Sequence, residues 1–113
     1  LSGISTHVLD TARGRPAAGI AVSLEMRAGT DWTRIADAVT DENGRAGNLV
    51  SPAGPFERGA YRLLFDAATY FRAQGVDTFY SQVSVTFEVR NPGEHYHVPL
   101  LLSPWGYTTY RGS

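Results

Sequence analysis

The chain has 113 residues, enough for one domain spanning 1–113 with a modest core and no covalent staples. Ten arginines and eleven acidic residues leave a formal net charge of -1 with no basic stripe for phosphates, which argues against nucleic-acid binding. The lack of cysteine removes disulfides, thiolate nucleophiles and cysteine metal sites. The lack of lysine removes Schiff-base chemistry, so His, Arg, carboxylates and hydroxyls must carry any reaction.

No apolar run approaches the ~20 residues of a membrane-spanning helix, and no charged-then-apolar leader precedes the first strand-like segment. A soluble, cytoplasmic protein is the expectation. The first residue is Leu1 rather than Met, which leaves an upstream leader or fusion open.

Seven or eight short runs of β-branched and aromatic residues recur between Gly, Pro, Asn and Asp clusters, the spacing of an all-β sandwich or barrel. Ile4 to Leu9 alternates, which turns His7 away from Ile4 and Val8; Thr11 to Pro16 then turns the chain. Ile20 to Met26 reads as a strand with Ile20, Val22, Leu24 and Met26 on one face. Trp32 to Thr40 reads as another, with Trp32, Arg34, Ala36 and Ala38 opposite Ile35 and Val39. Asn43-Gly44 then predicts a two-residue hairpin turn, since both residues tolerate positive φ, and Arg45 leaves it at once.

Residues 51–59 are loop chemistry, and Tyr61 to Phe65 is a strand. Asp66 can cap a short helix carrying Ala67, Ala68, Tyr70, Phe71 and Ala73, with Gly75 as its stop. Gln82 to Val89 alternates strictly, placing Val83, Val85, Phe87 and Val89 on one face, and Asn91-Pro92-Gly93 ends it. His95 to Leu102 is the next strand. Ser103-Pro104-Trp105-Gly106 fits a type I turn before a last strand, Tyr107 to Tyr110.

Only three histidines occur, His7, His95 and His97. On a strand His95 and His97 share a face with Pro99 and Leu101, while Tyr96, Val98, Leu100 and Leu102 make the better core face. The histidine face is then outward yet partly apolar, which suggests a wall covered by another subunit. A solvated or cross-strand-bonded pair, a metal site completed by His7 and a catalytic pair all stay open on this pattern; a catalytic zinc site would need three protein ligands. Taken singly, Arg45 reads as a solvated charge beside a turn.

Three stretches, Thr6-His7-Val8-Leu9-Asp10, Asn43-Gly44-Arg45, and His95 to Pro104 continued by Gly106 to Ser113, resemble the signatures of 5-hydroxyisourate hydrolases, in order along the whole chain. Trp105 and Thr108 depart from the usual wording, where Tyr and Ser are typical. The resemblance implies an all-β, transthyretin-like (prealbumin-like) sandwich of two four-stranded sheets with one short helix. It further implies a homotetramer whose central channel holds the active sites.

By the same resemblance His7, Arg45 and His97 are catalytic, and Tyr110, Arg111, Gly112 and Ser113 close the pocket on the substrate. His95 takes a supporting or structural part, and no metal or cofactor is expected. The implied reaction is hydrolysis of 5-hydroxyisourate in urate breakdown. Neutral imidazole can take a proton from water near neutral pH, and the fixed fork of Arg45 can hold the developing oxyanion. His97 is the favoured base, because its strand position fixes it. The rival expectation is a transthyretin-like carrier of small hydrophobic hormones; fold alone does not choose between the two.

Overall fold

Alternate residues of the long strands turn inward, and the two inward sets meet across a pair of sheets. The computed structural model describes residues 3–50 and 56–113. Its strands are β1 (Gly3–Asp10), β2 (Arg15–Pro16), β3 (Ala21–Ala28), β4 (Asp31–Val39), β5 (Arg45–Ala46), β6 (Gly59–Phe65), β7 (Val83–Val89), β8 (His95–Ser103) and β9 (Gly106–Thr109). One helix, α1 (Ala67–Arg72), lies between β6 and β7.

One sheet runs β4-β3-β6-β7, antiparallel throughout. The other runs β2-β1-β8-β9, and the two-residue β5 joins β2 on the same edge of β1. Each sheet is therefore four positions wide, as expected. β1 and β8 pair in parallel, which brings the two ends of the chain side by side and sets Ser5 opposite His97.

The core takes Ile4 and Val8 from β1, Leu100 and Leu102 from β8, and Leu24, Leu63, Phe65 and Val83 from the facing sheet, all fully buried. Each such side chain contributes about 1.5–3 kcal/mol relative to exposure. The carboxylate of Asp10 is buried beside them. Its Oδ1 accepts from the backbone N–H of Ala12 and Arg13, and its Oδ2 from the Tyr70 hydroxyl at 2.7 Å. A buried acid so satisfied ties α1 to β1 instead of costing stability. Burial and the Asp10 partner together push the Tyr70 hydroxyl pKa above its ordinary value.

α1 follows its local signals. Asp66 caps it, accepting from the Thr69 backbone N–H at 3.1 Å, and Gly75 at φ 69° turns the chain after it. The Pro104-Trp105 turn closes β8 onto β9 with Ser103 opposite Gly106, as the turn chemistry predicted.

Two expectations change. In β4 the register against β3 shifts so that Leu24 pairs with Ala36 and Glu25 with Arg34, leaving Ile35 as an extra bulged residue. Strict alternation fails there: Ala36 shares the face of core residue Leu24, whereas Arg34 shares that of Glu25. The second change concerns Asn43-Gly44. Gly44 alone takes positive φ, at 77°, and it closes a turn whose loop residues are Glu42, Asn43 and Gly44. The chain passes there from β4 in one sheet to β5 in the other, and β5 pairs with β1. Of the predicted loop 51–59, residues 51–55 lie outside the described residues and Gly59 opens β6.

Candidate active site

The turn that delivers Arg45 is held from both sides. Asp41 Oδ1 accepts from the backbone N–H of Asn43 at 2.8 Å and of Arg45 at 3.0 Å. The Arg45 bond is the main reason the Asp41 carboxyl sits below its ordinary pKa. Gly44 meanwhile passes so close to β1 that an added Cβ would lie 2.4 Å from the Val8 carbonyl oxygen. β5 is thereby pinned with Arg45 opposite His7, and the guanidinium stays exposed. His7 is half-buried on the outward face of β1, as alternation predicted. Its Nε2–H donates to the Asn43 carbonyl at 2.9 Å; since a carbonyl only accepts, the proton of neutral His7 is on Nε2 and its Nδ1 is the basic nitrogen.

His95 and His97 share the outward face of β8. Between them stands the Ser5 hydroxyl, 2.7 Å from His95 Nε2 and 2.8 Å from His97 Nδ1. With Nδ1 so engaged, His97 has Nε2 left for the open side. Burial lowers the His97 pKa below the ordinary histidine value, and the charges of Arg45, His7 and His95 lower it further. At neutral pH His97 is a neutral imidazole, the form a general base requires.

Within the C-terminal stretch, Gly112 and Arg111 take opposite sides. Gly112 bridges to His97, its N–H donating to the His97 carbonyl at 2.8 Å, so it shares the histidine face. A Cβ on Gly112 would stand 2.7 Å from His97 Cδ2 and 3.1 Å from Pro99 Cγ, so only glycine lets the backbone lie against the ring. Arg111, one residue back, turns the other way. Its guanidinium covers the Tyr96 ring at 4.5 Å and pairs with Glu94 at 3.0 Å, an ion pair that lowers the Glu94 pKa.

A cleft of about 350 Å³ is lined by Ser5, Thr6, Arg45, Ala46, Gly47, His95, His97 and Ser113. The structure thus gathers Arg45, His97 and Ser113 around one space, with Gly112 behind His97; His7 does not line it but is paired with Arg45 across β1 and β5. Tyr110 and Arg111, expected to close the same pocket, instead border a separate cleft of about 480 Å³ between β7 and β8. Strand alternation accounts for Arg111, which turns to the side opposite Gly112; it does not account for Tyr110, which has the parity of Gly112. Among the described residues no three His, Asp or Glu side chains converge as metal ligands.

A family model described as HIUase/Transthyretin family matches residues 4–112. The chain belongs to this family. A probable 5-hydroxyisourate hydrolase of Caenorhabditis elegans is 46% identical over 112 residues, covering 99% of this chain and 82% of the relative. The structure of Klebsiella pneumoniae 5-hydroxyisourate hydrolase matches with a TM-score of 0.86 at 34% identity, over 99% of this chain and 100% of that one. Sea bream transthyretin in complex with thyroxine matches with a TM-score of 0.90, also at 34% identity, over 96% and 93% of the two chains. An HIUase/transthyretin backbone therefore fits a 5-hydroxyisourate hydrolase and a transthyretin in complex with thyroxine alike, so backbone alone does not separate them.

Within this HIUase/transthyretin sandwich, reasoning from sequence missed Ser5. Its signal was present but incomplete: Ser5 has the same outward parity as His7, yet only the parallel β1–β8 register shows that it faces His97. Trp105 and Thr108, the two departures from the usual motif wording, do not border the cleft.

Proposed function

We propose that the chain hydrolyses 5-hydroxyisourate to 2-oxo-4-hydroxy-4-carboxy-5-ureidoimidazoline, opening an amide-type ring bond in urate breakdown. One observation carries the reading: a neutral imidazole, His97, and an exposed guanidinium, Arg45, line the same cleft. Relatives named 5-hydroxyisourate hydrolase, 41% to 46% identical over nearly the whole chain, support it.

In this mechanism His97 Nε2 takes a proton from water as the water oxygen bonds to the ring carbonyl carbon. The carbonyl oxygen becomes an oxyanion beside Arg45, whose planar, permanently charged fork stabilises it without reorganising. Collapse breaks the C–N bond, and an imidazolium returns the proton to the leaving nitrogen. His7, whose basic nitrogen is Nδ1 and whose strand position pairs with that of Arg45, is the second group able to shuttle that proton.

The working unit in this reading is a homotetramer with the clefts facing a central channel. Half-buried Leu9 and Leu101 lie on the same outward face as the histidines, and such apolar side chains are better placed against another subunit than in water.

Purified protein added to freshly generated 5-hydroxyisourate is expected to speed the ultraviolet decay well beyond the spontaneous rate. Decay at the spontaneous rate, with tight binding of a thyroxine-like ligand, would establish the carrier instead.

A further inference from the structure

We propose that Ser5 and His95 set where the proton of His97 resides, forming a relay His95–Ser5–His97 that makes Nε2 of His97 the basic nitrogen. The inference deepens the hydrolase reading and rests on it for its catalytic meaning, though not for its geometry.

The geometry permits two arrangements. The Ser5 hydroxyl lies within hydrogen-bond distance of both rings, 2.7 Å from His95 Nε2 and 2.8 Å from His97 Nδ1, and it has one proton to donate. When His95 Nε2 is bare, Ser5 donates to it and accepts from His97 Nδ1–H, so the lone pair of neutral His97 is on Nε2. When His95 Nε2 bears a proton, the direction reverses: Ser5 donates to His97 Nδ1, and the His97 proton moves to Nε2. Only the first arrangement offers the cleft a base. An exposed imidazole thus decides, through one hydroxyl, whether a half-buried one can act.

The relay also gives the abstracted proton a route. As Nε2 of His97 gains a proton from water, Nδ1–H can pass its proton to Ser5 Oγ while the Ser5 hydroxyl proton passes to His95 Nε2. The balance is one proton moved from His97 to His95, with nothing oxidised or reduced. Arg45 from β5 and His7 from β1 both disfavour a cation on His97, and the shift moves the charge outward to His95. Running backward, the relay frees the Nε2 proton for the leaving nitrogen. Ser5 and His95 act through His97 and are positioning residues.

The fold supplies the relay through the parallel β1–β8 ladder. Ser5 is paired with His97 and Gly3 with His95, so the Ser5 side chain stands between the two imidazoles on one face. Gly112 backs the His97 ring and opposes its rotation away from Ser5.

The test uses the full chain labelled with ¹⁵N-histidine, at a pH of about 8, where neutral imidazole predominates. Long-range proton–nitrogen correlation is expected to show His97 with its proton on Nδ1. In Ser5→Ala the proton moves to Nε2 and kcat falls about 10- to 100-fold at little change in KM, a share of what a whole general base supplies. Ser5→Thr keeps a hydroxyl and is expected to restore both the tautomer and most of kcat. His95→Gln, whose amide oxygen still accepts from Ser5, retains the Nδ1–H tautomer but turns over more slowly.

A wild-type His97 with its proton on Nε2, or a Ser5→Ala variant unchanged in tautomer and kcat, overturns the relay. The nitrogen spectra need no substrate. Rapid hydrolysis with the wrong tautomer sinks the relay alone, and the right tautomer without hydrolysis sinks the hydrolase reading alone.

Discussion

The two outward faces of the sandwich treat their polar groups in opposite ways. On the β4-β3-β6-β7 sheet, Arg62 is paired with Glu25 at 2.6 Å and lies over the Trp32 ring at 4.3 Å, and Arg34 pairs with Asp37. Those groups satisfy one another. On the opposite sheet Arg45 makes no ion pair among the described residues, and His97 has one ring nitrogen held and the other toward the cleft. Bonding capacity is spent on one face and kept on the other, and chemistry needs the kept capacity.

Exchanging the fates of two arginines breaks the comparison most directly. Arg45→Ala and His97→Ala are each expected to lower kcat by about 10²-fold or more while the chain stays folded, since each removes a transition-state contact and neither is in the core. Arg62→Ala is expected to leave kcat unchanged and to lower unfolding stability by about 1–3 kcal/mol, because Glu25, largely buried, loses its charged partner. Parallel measurement of kcat and denaturant midpoints checks the pair. A rate loss in Arg62→Ala matching that of Arg45→Ala would erase the distinction between the faces.

Much of this contrast was legible in the residues. Strict alternation in Gln82 to Val89 and in His95 to Leu102 assigned core and outward faces correctly, because a two-residue period is a local property. Asp66 and Gly75 bounded the helix for the same reason. What escaped depends on partners distant in the chain. The Ile35 bulge is a mismatch between β3 and β4. The Asn43-Gly44 turn joins two sheets because β1, not β4, receives Arg45. Ser5 meets His97 across 92 positions. The division of the tail could have been found by extending the β8–β9 register: Leu100 opposite Thr109 places His97 opposite Gly112 and leaves Arg111 on the other side.

A smaller effect, but a more specific one, is expected at Gly112. The methyl of Gly112→Ala would stand 2.7 Å from His97 Cδ2, so either the tail backs away or the ring tilts. Because misplacement by about 1 Å can cost up to 10²-fold, and the tail has room to give, a fall in kcat of about tenfold is expected with no loss of the sandwich. The same substitution at Gly14, which has nothing within 4 Å of its Cβ position but sits at φ 67°, should cost stability without touching the rate. Equal kinetics in the two variants would show that the tail does not seat the His97 ring.

The finest contrast lies in the order of forces on His97. Burial lowers its pKa most, Arg45 next, then His7 and His95; these are a neighbour on β5, one on β1 and one on its own strand, while Gly112 and Ser113 of the tail bring no charged side chain. The active form is neutral, so activity is lost as pH falls through the His97 pKa, which lies below the ordinary value of about 6.5. Arg45→Gln removes a positive charge and so makes the imidazolium easier to form, which raises the His97 midpoint. Burial persists in that variant, so the midpoint should still fall short of the ordinary value. Following His97 by NMR titration beside His7 and His95 tests sign and order together. A midpoint that drops in Arg45→Gln would mean the guanidinium is not facing His97, and one that climbs fully to the ordinary value would make charge rather than burial the main cause of its neutrality.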